Sequence, residues 1–161
     1  MVEFRGNVQT RLQKLEDGVA DATFLAMAGL NRLGLSHLAA GAIAPDEMLP
    51  AVAQGAIGIE ARANDATART LTAPLNCAPT TTRLSAERAL LARLDGSCQT
   101  PIAALATLTG DTLSLTAQIL SPDGTAAFTD HATGPLASAE AIGTALAETL
   151  LATAGEGFLQ R

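Results

Sequence analysis

Two rhythms of apolar residues divide this 161-residue chain. In the first half they come as short helical stripes and continuous runs. Val2-Glu3-Phe4 reads as the tail of a strand. Asn7 is a good N-cap for a helix with Val8, Leu12 and Leu15 at helical spacing, and Gly18 fits its stop. Residues 22–28 form a short apolar run interrupted only by Thr23, the pattern of a buried parallel strand. Residues 29–35 turn away from it, and Ser36 caps another short helix. Strand, helix, strand in this order predicts a βαβ unit of a doubly wound α/β sheet. Pro45 and Pro50 mark a connection. Residues 55–61 predict a further strand, Asn64 or Asp65 caps a helix ending before Pro74, and residues 75–79 read as a linker.

The second half follows another grammar. Residues 80–94 predict a helix with Leu84, Leu91 and Leu94 on one face and Ala89 and Leu90 beside it. Residues 101–108 predict a strand and Gly110-Asp111 a turn. Residues 112–120 alternate, with Leu113, Leu115, Ala117 and Ile119 on one side. Pro122-Asp123-Gly124 is a turn because Pro presets φ and Gly permits a positive one. Residues 125–133 predict a third strand. Ser138 caps a last helix carrying Ile142, Leu146 and Leu150, with Gly155 near its end. A helix, three antiparallel strands and a helix make an α+β module with one sheet face covered.

Composition narrows the chemistry. Hydrophobic residues make up 48% of the chain but aromatics only 2%, so the core is built from Ala, Leu, Ile and Val. A net charge of −6 argues against general nucleic-acid affinity. No apolar run reaches membrane-spanning length, and Met1-Val2-Glu3-Phe4-Arg5 has no apolar signal core. A reducing, cytoplasmic setting is therefore expected. Cys77 and Cys98 lack the spacing of a zinc site or a disulfide framework. Lys14 is the single lysine beside nine arginines. Sparse arginines, each a planar fork for a carboxylate, suit an acidic small molecule better than a polyanion.

Cys98 alone reads as a small buried hydrophobe. Its neighbours change that. It lies in Leu94-Asp95-Gly96-Ser97-Cys98-Gln99-Thr100-Pro101-Ile102, with Ala86-Glu87-Arg88 ahead of it. Upstream stand Arg5-Gly6-Asn7-Val8-Gln9-Thr10-Arg11-Leu12, then Ala28-Gly29-Leu30-Asn31-Arg32-Leu33-Gly34-Leu35. Between them and the cysteine comes Leu49-Pro50-Ala51-Val52-Ala53-Gln54-Gly55-Ala56-Ile57-Gly58-Ile59-Glu60. In this order and spacing the blocks resemble porphobilinogen deaminase (hydroxymethylbilane synthase), over essentially the whole chain.

The resemblance implies that Cys98 Sγ carries a dipyrromethane cofactor through a thioether. Arg5, Arg11 and Arg32 would bind the acetate and propionate groups of the cofactor and the growing oligopyrrole, and Gln54 would line the cleft. The residues agree in kind: Arg5 and Arg11 flank a helix N-terminus, where free N–H groups favour anions. Solvated surface charge for the arginines, and a hinge-loop hydrogen bond for Gln54, remain the plain alternatives. The implied reaction is stepwise condensation of four porphobilinogen units with loss of ammonia, then hydrolysis to a linear tetrapyrrole, in tetrapyrrole and heme biosynthesis.

The implied architecture is part of a second, periplasmic-binding-protein-like α/β domain over 1–55, a return segment and linker over 56–75, and a C-terminal α+β domain over 76–161 bearing the cysteine. The family's catalytic Asp and its Ser-Ser-Leu-Arg-Arg segment would lie upstream of residue 1. No catalytic residue is identified in this chain, and by itself it is expected to be inactive unless a separate N-terminal half completes it. A non-catalytic tetrapyrrole- or anion-binding module and an inactive truncated product are the other readings. Asp95 reads as a helix end, and His37 and His131 as structural or surface residues. Asn31, Ala53, Cys77 and Ser97 depart from the family's Lys, Gly, His and Gly. Ala53 and Ser97 matter most, because Gly in such loops often supplies a positive φ or close approach.

Overall fold

The computed structural model describes residues 2–97, 100–155 and 157–160. They fall into two compact units that divide between Ile43 and Ala44. The first unit is built on two short helices, α1 (Val8–Glu16) and α2 (Met27–Arg32). Asn7 caps α1 as its sequence predicts: its side-chain oxygen accepts the Thr10 N–H at 2.9 Å. Gly18 ends the helix at φ 70, with the Val19 N–H returning to the Lys14 carbonyl. The expected short helix forms as a single 3-10 turn over Ser36–Leu38, with Ser36 its first residue and Leu35, not Ser36, at the cap position. Leu30 is the one buried side chain among the described residues of this unit.

The parallel strands expected at 2–4, 22–28 and 55–61 do not form. Residues 2–5, 22–26 and 56–62 have no regular structure, and the apolar run continues into α2 instead. A strand exists only as one side of a ladder, and no described segment pairs with these three. A helix closes its hydrogen bonds within itself, so Met27-Ala28-Gly29-Leu30 can form one without a neighbour. The doubly wound sheet expected over 1–55 is thus absent from the described residues.

The second unit carries α3 (Ala66–Thr72), α4 (Ala78–Arg93), strands β1 (Ile102–Thr109), β2 (Thr112–Leu120) and β3 (Ala127–Pro135), and α5 (Ala139–Ala154). The strands form an antiparallel sheet in the order β1-β2-β3. Its register sets Ile102 opposite Ile119, Ala104 opposite Ala117, Ala106 opposite Leu115 and Leu108 opposite Leu113. On one face of β2, Leu113, Leu115, Ala117 and Ile119 are all fully buried. Helices α4 and α5 close that face with Ala86, Leu90 and the C-cap residue Leu94 from the one and Leu146, Ala147 and Leu150 from the other. Each fully buried leucine or isoleucine here contributes about 2 kcal/mol of transfer free energy.

The two helices approach so closely at Gly143 that a Cβ there would overlap the Ala86 carbonyl oxygen. Phe158 closes one end of the core, packing edge-on against Phe128 with ring centroids 5.1 Å apart. Arg93 and Glu148 form an ion pair at 3.1 Å across the helices, half-exposed and contributing under about 1 kcal/mol. Strand β3 starts two residues later than its apolar pattern predicts. Asp123 Oδ1 accepts from the Ser121 hydroxyl at 2.5 Å and from the Thr125 N–H and hydroxyl at 3.1 and 2.8 Å, drawing Thr125 into the turn. Those donors, Ser121 first, lower the Asp123 carboxyl to about 2.

Candidate functional site

Arg5, Arg11 and Arg32 all belong to the first unit. Arg5 precedes the Asn7 cap and is exposed, and its Nε pairs with Glu3 at 2.5 Å. The segment around it is tied to α1: the Lys14 ammonium donates to the Arg5 carbonyl at 2.9 Å and sits 5.5 Å from the centre of the Phe4 ring. Arg11 reaches back from α1. Its Nε donates to the Gly6 carbonyl at 3.1 Å and its Nη1 to the Phe24 carbonyl at 3.3 Å, fastening residue 24 to the helix. Arg32 is the last residue of α2 rather than the residue after a strand, and is exposed. It has no hydrogen-bond or ion-pair partner among the described residues.

These side chains suit carboxylate binding to different degrees. Arg32 presents a whole fork, Arg11 keeps part of one, and Arg5 would exchange an exposed internal carboxylate for an external one. Gln54 lies in the second unit, exposed, in the turn 51–55. Its N–H donates to the Ala51 carbonyl at 3.4 Å.

Cys98 lies outside the described residues, as does Gln99. The residues that frame them are fixed. Asp95, at φ 51, ends α4 in the left-handed region, and the Gly96 N–H returns to the Leu91 carbonyl at 3.0 Å. A Cβ on Gly96 would stand 2.6 Å from the Cδ1 methyls of both Ile102 and Leu91, so those side-chain ends would have to swing aside for any other residue. Beyond the cysteine, the Thr100 hydroxyl accepts the Ser97 N–H at 3.0 Å and the Thr100 N–H donates to the Ser97 carbonyl at 3.1 Å. Ser97 is not among the positive-φ residues, so serine in place of glycine requires no left-handed backbone. Ala53 does take that backbone, at φ 62.

Two groups acquire a significance that the sequence pattern did not carry. Glu87 is buried on α4; its Oε2 accepts the Ala53 N–H at 2.7 Å and its Oε1 the Ala106 N–H at 2.9 Å. The Ala86-Glu87-Arg88 block marks it in the sequence, and it stands three and four residues before Leu90 and Leu91, inside the apolar stripe, but neither signal announces its acceptor role. The second is Cys77, exposed at the N-cap position of α4. The Thr80 hydroxyl donates to its sulfur at 3.2 Å. That bond first, then the Thr80 N–H and the Arg83 charge, holds the thiol below its ordinary value. Cys77, Thr80 and Thr81 share an open groove of about 510 Å³ with Ile57, Ile59 and Leu84. His37 and His131 are both exposed. Among the described residues, no helix is long and apolar enough to cross a membrane.

Residues 1–70 match the family model "Porphobilinogen deaminase, dipyromethane cofactor binding domain". Residues 81–152 match "Porphobilinogen deaminase, C-terminal domain". The chain is 61% identical over 158 residues to a porphobilinogen deaminase of Paracoccus denitrificans, covering 98% of this chain and 50% of that protein. It is 52% identical over 147 residues to one of Chromobacterium violaceum, covering 91% of this chain and 48% of the relative. The chain thus spans about half the length of these curated relatives. The two matches follow each other along it, the first spanning the arginine and Gln54 blocks and the second the Cys98 block: the chain belongs to the porphobilinogen deaminase family.

Proposed function

We propose that this chain is the C-terminal part of a hydroxymethylbilane synthase, working in the cytoplasm on porphobilinogen together with a polypeptide that supplies the preceding half. The observation that carries the reading is the cofactor-binding family match over the segment that holds Arg5, Arg11 and Arg32. Cys98 would hold the dipyrromethane by a thioether, and when bound that group supplies a covalent primer with a nucleophilic pyrrole carbon. In this reading residues 1–55 belong to the second domain, 56–75 return toward the first, and 76–161 are the third.

The chain's own contribution is binding and placement. Arg32 offers a carboxylate two parallel N–H donors, and Arg11 can add its remaining donors while its other N–H groups hold the Gly6 and Phe24 carbonyls. Four rounds of condensation accumulate carboxylates, and planar guanidinium groups can hold them by two parallel bonds where a lysine offers a single point charge. The ends of the cysteine loop are held by the Gly96 N–H on the Leu91 carbonyl and by the Ser97–Thr100 bonds. The proton-handling carboxylate of the reaction belongs, in this reading, to the other half.

Mixing the chain with the N-terminal half of the Paracoccus denitrificans relative tests this. Hydroxymethylbilane should form from porphobilinogen only in the mixture, and the intact mass of this chain should rise by two pyrrole units. Cys98→Ala should abolish the rise, whereas Cys77→Ala should leave it. Product formed by the chain alone, or a rise that follows Cys77 instead, would overturn the assignment.

A further inference from the structure

Glu87 is the one charged side chain that the fold buries among the described residues, and no arginine or lysine pairs with it. A buried carboxylate without a cation persists only where strong N–H donors replace its water. Here each oxygen takes one. Oε1 takes the N–H of Ala106 on β1, and Oε2 takes that of Ala53 in the turn 51–55. The same turn meets β1 twice more: the Ala104 N–H donates to the Pro50 carbonyl at 3.0 Å, and Ala51 bridges to Ala103. Val52 packs against the core beside them.

The geometry points to Glu87 as the positioning residue of the Gln54 turn: its carboxylate clasps Ala53 to β1 and so fixes where Gln54 leaves the C-terminal module. Two donors on separate segments require two acceptors on one group. Among side chains of this length only a carboxylate supplies them, because a glutamine turns an N–H₂ toward one of the two and an apolar residue leaves both orphaned. Ala53 needs such a hold, since its left-handed backbone is unfavourable for a residue with a Cβ. Gln54 follows it directly, so the placement of one peptide determines the next. The functional side of this inference rests on the place proposed for Gln54 at the pyrrole-binding cleft.

Amide hydrogen exchange on the full chain, with Glu87→Gln beside the natural sequence, tests the clasp. Exchange at residues 53–55 should quicken by roughly tenfold or more, the loss expected from one buried charge-assisted bond, while β2 and α5 keep their protection. Unchanged exchange at 53–55, or equal acceleration throughout the unit, would overturn it; the second outcome would make Glu87 a general prop. Should Glu87→Ala unfold the chain, the glutamine variant still decides. In the complemented enzyme, Glu87→Gln should raise the KM for porphobilinogen and have no further effect once Gln54→Ala is present. If Gln54→Ala leaves turnover untouched while exchange is localised, the reading of Gln54 fails and the clasp stands. Additive effects of the two substitutions would sever Glu87 from Gln54.

Discussion

The residues before and after position 75 use their hydrophobic side chains in opposite ways. Val2, Val19, Phe24, Leu33, Leu38, Ile43, Met48, Ile57, Ile59, Leu71 and Leu75 are the exposed large hydrophobics among the described residues, and all precede Asn76. Every buried hydrophobic except Leu30 follows it. Ile57 is 94% exposed, whereas Ile119, of the same chemistry and in an equally apolar stretch, is 0% exposed. The difference lies in what each region can bury itself against. Three strands and two helices from 78 to 154 close on one another. The earlier region leaves its large apolar side chains exposed and forms no comparable core among the described residues.

Substitutions can break or sharpen that contrast. The largest expected effect is Leu115→Ala, which should cost about 2–5 kcal/mol in a urea melt, because the β2 leucine is fully buried in the core beneath the two helices. Ile57→Ala should stay within about 0.5 kcal/mol in the same melt. Comparable losses from both would erase the distinction. Ala53→Gly is next. It relieves a left-handed alanine and should stabilise the second unit by about 1 kcal/mol, seen as a higher denaturation midpoint. A lower midpoint would mean that the turn gains more from a stiff residue than it loses to strain.

The smallest effect concerns Asp123. Its carboxyl lies at about 2 in the folded chain against an ordinary 3.8, so its contribution is complete above that ordinary value and is lost as pH falls through about 2. Asp123→Asn should therefore lower stability slightly at neutral pH, flatten the profile between pH 3.8 and about 2, and leave the most acidic end nearly unchanged. An acid limb of unaltered slope would assign the turn's stability elsewhere.

The same division explains what the sequence reveals. Strand β2 is legible to the residue, because Leu113, Leu115, Ala117 and Ile119 alternate and their partners lie close in the chain. Helix α4 begins at Ala78 rather than Thr80, since Pro79 sits comfortably in a first turn. Strand β3 is displaced by a side-chain network on Asp123 that hydropathy does not register. The run at 22–28 misleads for a deeper reason. A parallel strand and a short helix share one apolar signature, and only long-range pairing separates them.

At the site, the arginines are visible as residue types in motif, but their engagement is not. Arg11 binding the Phe24 carbonyl depends on a loop thirteen residues away. Glu87 stays hidden because its acceptor role is defined by backbone N–H groups at 53 and 106, far from it in the chain.

One small contact near the N-terminus has a practical consequence. Lys14 is the chain's single lysine, and it holds the Arg5 carbonyl while lying over Phe4. Apart from the α-amine, an amine-directed dye or crosslinker therefore has one address on this polypeptide. Acylating that address removes the donor that seats Arg5, so a routine labelling reaction would also be a targeted edit of the segment that carries Arg5.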